Sequence, residues 1–420
     1  MSLVALTVER YKCFDRGQTL ELRPVTVLLG RNNSGKSALA RLPALLETGL
    51  RTGSPAPLEP DALDFEIAGG FTDLIFGQRP HGKVTFGLHF DTAELGAFEI
   101  KAGIQNIDEV QLQVVSDFHL TVPGRDLDIS WTWNIDDPRN PTWRFTGPEP
   151  WGPVMSDVAF RGILPRPRDS LNGHLWLSYL EEVRQLYPSI RYVGPFRERP
   201  ARYYRMPTRS PQVAGVLGEK APLILADDVA RGNGHLLAAV NDYLRQELPG
   251  WSLAVDQRSN LFSLVLTSNA DPGVQVNLAD TGTGVAQVLP ILVQRTIDSL
   301  SSGRSRPVLE VVEQPELHLH PAAHAALADL YLAGSADNRC RFLIETHSET
   351  FVLRLRRRVA QGKISPDQIA LYYVEHNGQS ADLHRIELDD LGNVANWPDG
   401  VFSEDYQEVR ALAAAQNERT

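Results

Sequence analysis

The sequence predicts an α/β fold in which a mostly parallel core sheet, covered by helices, is joined to an antiparallel β-rich lobe. From about residue 220, buried apolar runs alternate with segments of helical periodicity, as in "GVAQVLPILVQRTIDSL" followed by "PVLEVVE". Such alternation is typical of a parallel sheet. Between residues 51 and 170, runs such as "KVTFGLHF" and "DISWTWNI" alternate polar and apolar residues instead, which is typical of half-buried strands.

These two patterns divide the chain. We expect the core to be formed by residues 1–50 and 190–420, and the β-rich lobe, with a helix at its end ("HLWLSYLEEVRQLYP"), to be inserted over residues 51–189. Residues 3–9 and 19–23 also alternate, and they predict an antiparallel hairpin leading into the first core strand. No heptad repeat is sustained, so no long coiled-coil arm is encoded.

Composition narrows the class of protein. The chain has 420 residues, 42% of them hydrophobic and 22% charged, and a net charge of −11. It has no apolar run long enough to cross a bilayer, and its N-terminus lacks the pattern of a secretion signal. With only Cys13 and Cys340, neither a disulfide framework nor a cysteine-rich zinc site is expected. We therefore expect a cytoplasmic protein without a membrane span.

A glycine-rich loop follows the first core strand. The strand "PVTVLL" leads into a stretch that fits G-x-x-x-x-G-K-[ST] from Gly30 to Ser37, and "KSALARLPALLE" then has helical periodicity. In this order of strand, loop and helix, backbone N–H groups can surround an anionic oxygen at the positive end of the helix. The loop, including Asn32, is therefore predicted to bind a phosphate chain. Lys36 would reach the terminal phosphates and Ser37 would ligate Mg²⁺.

A second apolar strand, in "PVLEVVEQPELHLHP" (307–321), ends in acids. Glu313 stands where a carboxylate could reach the metal directly or through water. The next position, where many such enzymes place a general base, holds Gln314, whose amide cannot accept a proton from water. Glu316 could take that role, or it could cap the helix that starts near Pro321. His318 and His320 suit a turn better than a zinc site.

Two further segments add polar groups at element ends. In "FLIETHSE", a buried strand delivers His347 to the place of a γ-phosphate or its attacking water. In "LADTGTGVAQVLPIL", Gly282 and Gly284 flank Thr283 at the start of a helix, which predicts a second anion site without a lysine. One chain has one phosphate loop, so the ATP of a partner subunit could dock there; a plain glycine-rich cap is the alternative.

Arginine and tyrosine are mixed in "RYVGPFRERPARYYRMPTRS" (191–210), and a second basic run is "RLRRR" (354–358). Such surfaces can hold phosphates and stack bases, so nucleic acid is a candidate partner. A solvated face or a contact between subunits explains both runs equally well.

Taken in order, "GRNNSGKSALA", "FTDLIFGQ", "YVGPFRERP", "DTGTGVAQVLP", "VVEQPELHLHP" and "ETHSE" resemble ABC-type ATPases of the SMC, RecF and OLD group, in particular small AAA-type OLD-like proteins that lack the nuclease domain. The resemblance implies a P-loop ATPase head with ATP and Mg²⁺ as ligands. It assigns ATP binding to the loop from Asn33 through Ser34 and Gly35 to Ser37, and ATP contact across a dimer to Thr283 and Gly284. It further implies that Glu313 is the Walker B acid, Gln78 a Q-loop residue that senses magnesium, and His347 the switch histidine.

The resemblance also implies a function. Two copies, or a higher oligomer, would close around ATP and switch a separate effector such as a nuclease or toxin, in bacterial anti-phage defence or DNA maintenance. Gln314 departs from the family's second glutamate, which predicts slow hydrolysis. Two alternatives stay open: the nucleotide-binding subunit of a membrane transporter, and a nucleotide-gated scaffold that does not hydrolyse ATP.

Overall fold

The computed structural model describes most of the chain. Its described parts are residues 2–135, 141–147, 154–156, 158–167, 175–300, 306–336 and 339–398, together with 402, 408–412 and 416. No helix in these parts is long and apolar enough to cross a membrane.

The strands within these parts are, in chain order, β1 (Leu3–Glu9), β2 (Gln18–Glu21), β3 (Val25–Gly30), β4 (Lys83–Thr92), β5 (Gly96–Ile107), β6 (Leu112–Val122), β7 (Leu127–Asn134), β8 (Thr142–Thr146), β9 (Val154–Ser156), β10 (Val158–Arg161), β11 (Leu164–Pro167), β12 (Ser189–Val193), β13 (Tyr204–Arg205), β14 (Trp251–Arg258), β15 (Leu261–Ser268), β16 (Gln275–Asn277), β17 (Val308–Glu313), β18 (Cys340–Glu345), β19 (Ile369–His376) and β20 (Ala381–Ile386). The α-helices are α1 (Lys36–Arg51), α2 (Leu175–Leu186), α3 (Ala221–Arg231), α4 (His235–Glu247), α5 (Thr283–Leu300), α6 (Pro321–Ser335) and α7 (Glu349–Ala360).

A six-stranded sheet carries the glycine-rich loop. Its strand order is β12-β17-β18-β3-β19-β20. The first five strands pair in parallel, and β20 runs antiparallel to β19. Alternate residues of β3 enter two hydrophobic cores: Leu28 packs in the core that contains residues of α1, whereas Val27 and Leu29 pack in the core that contains residues of α5, α6 and α7. Burial on both faces explains why this strand reads as an unbroken apolar run.

An eight-stranded antiparallel sheet forms the β-rich lobe, in the order β2-β1-β4-β5-β6-β7-β8-β9. It contains the predicted N-terminal hairpin, because β1 pairs with both β2 and β4. The sheet therefore draws strands from the first 50 residues as well as from the predicted insertion, 51–189. The six-stranded sheet has the parallel pairings expected of the core, with β20 antiparallel at its edge. Over all the described sheets together, however, antiparallel pairings outnumber parallel ones, because the lobe is larger than the expectation allowed. The sequence analysis assigned residues 1–50 to the core and so did not predict that β1 and β2 belong to the sheet of the lobe.

A third sheet, in which β15 pairs with β13, β14 and β16, lies beside α3 and α4, which in turn contact α5. Near its C-terminal end, α5 is tied to the core sheet by buried ion pairs. Arg295 contacts Asp298 on the same helix and Glu310 on β17, and Arg191 on β12 also contacts Asp298. Because removing one partner of a buried ion pair is strongly destabilising, these contacts hold α5 against the strand that carries Glu313.

Candidate functional site

The loop from Gly30 to Ser37 joins β3 to α1 at the carboxyl edge of the core sheet. Gly35 has φ +107°, and a Cβ there would lie 2.5 Å from the Cys13 sulfur, so both conformation and space require glycine. Gly35 is the N-cap of α1, and no side chain of the described residues caps this helix start. The first N–H groups of the helix are therefore left to bind an external acceptor.

Lys36 lies inside the loop, with only 3% of its surface exposed. Its ammonium donates to the carbonyl oxygens of Gly30 (3.0 Å) and Arg31 (2.7 Å). Burial lowers the pKa of Lys36, while the nearby carboxylates of Glu345 and Glu313 oppose that effect. The lysine is thus held at the loop, close to two acids from neighbouring strands.

Glu313 ends β17, but its carboxylate is already engaged. Arg41 on α1 donates from Nε to Oε1 (2.7 Å) and from Nη2 to Oε2 (2.8 Å), and the Tyr192 hydroxyl donates to Oε1 (2.9 Å). Burial, followed by the charge of Glu313, raises the pKa of Tyr192, which stays a hydroxyl donor. Glu313 is 2% exposed. These contacts tie α1 to β17 and β12.

Glu345 ends β18, and in the strand register it lies directly beside Glu313. Its Oε2 accepts a 2.8 Å hydrogen bond from the Ser37 hydroxyl. Burial and the negative charge of Glu313 raise the pKa of the Glu345 carboxyl to about 7, against the opposing effects of Ser37 and Lys36. The sequence analysis missed Glu345 as a site residue, although it is the last residue of a buried strand, immediately before Thr346.

The turn after β17 is fixed by buried polar contacts. Gln314 has φ +46°, and its N–H donates to the Glu345 carbonyl (2.7 Å). Arg197, which is 5% exposed, donates from Nη2 to the carbonyls of Glu313 (2.9 Å) and Gln314 (3.2 Å). Its Nε and Nη1 have no hydrogen-bond partner among the described residues. Sequence reasoning placed Arg197 in a basic surface; the structure places it behind the site.

Glu316 is 8% exposed, and its Oε1 accepts from the backbone N–H of His347 (2.7 Å), while Oε2 has no partner among the described residues. It does not cap α6, because the His320 side chain is the N-cap of that helix. Burial and the positive charge of Lys36 lower the pKa of His347, whose imidazole is therefore neutral near pH 7. His318, at φ +65°, lies in the turn that the sequence suggested.

The structure places Lys36, Glu313, Glu316 and His347 at or just after the ends of adjacent strands, and Glu345 lies among them. Two predicted elements make no hydrogen bond to this group within the described residues. The Gln78 amide is exposed and donates to Asp73 (3.0 Å). Gly282 and Thr283 are exposed at the start of α5, and no hydrogen bond between described residues joins them to the loop of the same chain.

Much of the predicted basic surface is paired. Arg354 and Arg358 both donate to Asp329 on α6 (2.6 Å), and Arg202 makes a bidentate pair with Asp280 (2.9 and 2.6 Å). Ion pairing leaves less positive potential for a polyanion than the sequence suggested. Of the tyrosines at 192, 203 and 204, only Tyr203 is largely exposed (58%).

Comparison with known proteins agrees with this geometry. Residues 240–352 match the family model described as "AAA ATPase domain", and residues 364–412 match "Protein of unknown function (DUF3696)". No curated protein matches the chain.

Among solved structures, the chain is similar to an SMC head bound to the C-winged helix domain of ScpA, with 12% identity, a TM-score of 0.50, and coverage of 92% of this chain and 99% of that one. It is also matched to the SMC head of Thermotoga maritima (12% identity, TM-score 0.42, covering 92% and 100% of the two chains) and to that of Pyrococcus furiosus (9%, 0.46, covering all of both). The first likeness shows the fold alone.

Proposed function

We propose that this SMC/ABC-like AAA ATPase binds ATP on the loop from Gly30 to Ser37 and hydrolyses it slowly. The observation that carries the proposal is the convergence at one sheet edge of Lys36, the carboxylates of Glu313 and Glu345, and the imidazole of His347. These groups come from three adjacent parallel strands, β3, β17 and β18, and the residues that follow them. They supply a phosphate cradle, oxygen ligands and a neutral imidazole in one place.

The residues fit magnesium because Mg²⁺ prefers hard oxygen ligands, which the Ser37 hydroxyl and a strand-end carboxylate provide. When bound, Mg²⁺ neutralises charge on the transferring phosphoryl group. Lys36 holds the terminal phosphates, and loop N–H groups surround the chain of phosphates. Glu316, whose buried Oε2 has no hydrogen-bond partner among the described residues, accepts a proton from the attacking water, while Gln314 and His347 orient that water and the γ-phosphate.

The exposed start of α5 supports a dimer. Gly282 and Thr283 are exposed at the start of α5, with Gly284 partly buried behind them, and the first N–H groups of a helix, which lack intrahelical partners, can there bind the γ-phosphate held by a second copy. We propose that two copies, or a higher oligomer, close around ATP. The closed state would then control a separate effector, such as a nuclease or toxin, in bacterial defence or DNA maintenance, with nucleic acid as a candidate trigger.

A fluorescent ATP analogue tests nucleotide binding. We expect the Lys36→Ala variant to bind it on the order of tenfold to a hundredfold more weakly, because a charge-assisted hydrogen bond to phosphate is lost. Lys363→Ala, which removes an exposed lysine after α7, is the matched control and should bind as wild type. Unchanged affinity in Lys36→Ala would refute the assignment.

Light scattering with and without ATP tests the dimer. We expect the mass of the wild type to double with ATP. Thr283→Arg should bind ATP but stay monomeric, because the substitution blocks an exposed surface and leaves the fold intact. A variant that dimerises normally would exclude this surface from the dimer.

A non-hydrolysing scaffold is the second candidate, since an amide stands at position 314. Phosphate release separates the two. If Glu316 is the base, Glu316→Gln should lower the rate by about 10²-fold to 10⁴-fold while its amide oxygen still accepts from the His347 N–H. Negligible release by the wild type would favour the scaffold.

A further inference from the structure

Two carboxylates end adjacent strands at the phosphate loop, and they have different partners. Glu313 and Glu345 are register neighbours on β17 and β18, and both are almost fully buried (2% and 3% exposed). Resemblance to other ATPases assigned the metal to Glu313. The contacts of the two side chains point to a different division of roles.

Glu313 has little capacity left for a cation. Both of its oxygens accept from Arg41 (2.7 and 2.8 Å), and Oε1 also accepts from the Tyr192 hydroxyl. A cation at Glu313 would have to displace Arg41 or lie beside its guanidinium, where the two positive charges repel. The Arg197 contact with the Glu313 carbonyl further fixes the residue behind the loop.

Glu345 differs in that no arginine of the described residues is hydrogen-bonded to its carboxylate, although Lys36 lies nearby. Its Oε2 lies 2.8 Å from the Ser37 hydroxyl, the predicted first ligand of the metal. Two adjacent ligands of an octahedral Mg²⁺, each about 2.05 Å from the ion, lie about 2.9 Å apart. The separation of the two oxygens therefore suits a shared cation without a change of strand or helix position.

We propose that Glu345 is the protein carboxylate that ligates magnesium together with Ser37, and that Glu313 is a positioning residue. This inference rests on the proposed ATP site. Glu313 acts through Arg41, which it holds against the sheet. Since Arg41 lies one helical turn after Ser37 on α1, this contact fixes the helix start that presents the Ser37 hydroxyl to the metal.

The test is direct measurement of metal binding, independent of hydrolysis. Mn²⁺ replaces Mg²⁺, and electron paramagnetic resonance measures free Mn²⁺ in the presence of ADP. In parallel, the affinity for a fluorescent ATP analogue is measured in Mg²⁺ and in EDTA, and the ratio gives the metal's contribution. The variants are Glu345→Gln, which can keep a hydrogen bond to Ser37, and Glu313→Gln. Because Glu313→Gln leaves Arg41 unpaired, the double variant Arg41→Met with Glu313→Gln is included, and circular dichroism checks the fold of each.

We expect Glu345→Gln to lose on the order of tenfold or more in Mn²⁺ affinity and in the Mg²⁺ enhancement of ATP binding, while affinity in EDTA stays near wild type. The Arg41→Met, Glu313→Gln double variant should lose a smaller part of the Mg²⁺ enhancement than Glu345→Gln does, because it removes the contact that positions Ser37 but leaves both proposed ligands in place. Loss in the double variant but not in Glu345→Gln, or equal loss in both, would overturn the inference while leaving nucleotide binding intact. Wild-type protein that binds no ATP in either condition would overturn the proposed function and this inference with it.

Discussion

Removing the Arg41 charge should destabilise the fold, because the buried Glu313 carboxylate would lose the guanidinium that donates to both of its oxygens and keep only the more distant Lys36 charge. Glu313 is 2% exposed, and after Arg41→Met its remaining side-chain partner is the Tyr192 hydroxyl. The site around Glu313 is lined by β17, β12 and α1, so water cannot easily replace the guanidinium.

The expected magnitude follows from burial. Breaking a buried ion pair by removing one partner costs roughly 3–5 kcal/mol. The Arg41 side chain is 28% exposed, which gives it some solvation in either state and favours the lower end. We therefore expect Arg41→Met to lower the free energy of unfolding by about 3 kcal/mol. The double variant with Glu313→Gln should lose about 2 kcal/mol less unfolding free energy than the sum of the losses in the two single variants, because neither charge is then buried alone.

Urea unfolding of the wild type, both single variants and the double variant forms the assay. Because a chain of 420 residues need not unfold in one step, hydrogen exchange of α1 and β17 should accompany the spectroscopic transition. A loss below about 0.5 kcal/mol in Arg41→Met, or strictly additive single and double variants, would refute the view that this pair holds α1 on the sheet.

Two other predictions concern stability away from the site. Burial raises the pKa of Asp329, but Arg358 and Arg354 lower it by more, so the net effect is a lowered pKa. The ionised carboxylate therefore stabilises the fold at pH values above its ordinary pKa, and this contribution is lost as the pH falls through the lowered pKa. Asp329→Asn should cost about 1 kcal/mol near pH 7 and progressively less below about pH 4, and a constant difference would contradict this. Trp131 is fully buried against Phe145 and Trp176. Trp131→Ala should lower the free energy of unfolding by about 3–5 kcal/mol, and Trp131→Phe by much less, as measured by thermal unfolding.

Sequence predicted the convergence of Lys36 and His347 because both follow buried parallel strands, whose carboxyl ends share one edge. The sequence could not predict which side chains at that edge contact each other. Whether Glu313 or Glu345 lies closer to Ser37 depends on strand order, and the sequence does not say that β18 lies between β17 and β3. Composition also cannot predict which arginine of a mixed basic run is buried. In the run 191–210, Arg197 is buried.

Fold prediction failed where local pattern competes with long-range pairing. The hairpin of β1 and β2 was predicted from alternation, but its membership of the eight-stranded sheet depends on β1 pairing with β4, about 80 residues later in the chain. The helix α3 was not singled out, since "APLILADDVAR" is short and lacks a capping side chain among the described residues.

A structure of the protein with Mg²⁺ and a non-hydrolysable ATP analogue tests the central claim most directly. The account predicts triphosphate along the loop from Gly30 to Ser37, with the cation between Ser37 and Glu345 and the γ-phosphate facing His347. Triphosphate bound elsewhere, with Lys36 still folded onto the carbonyls of its own loop, would contradict it.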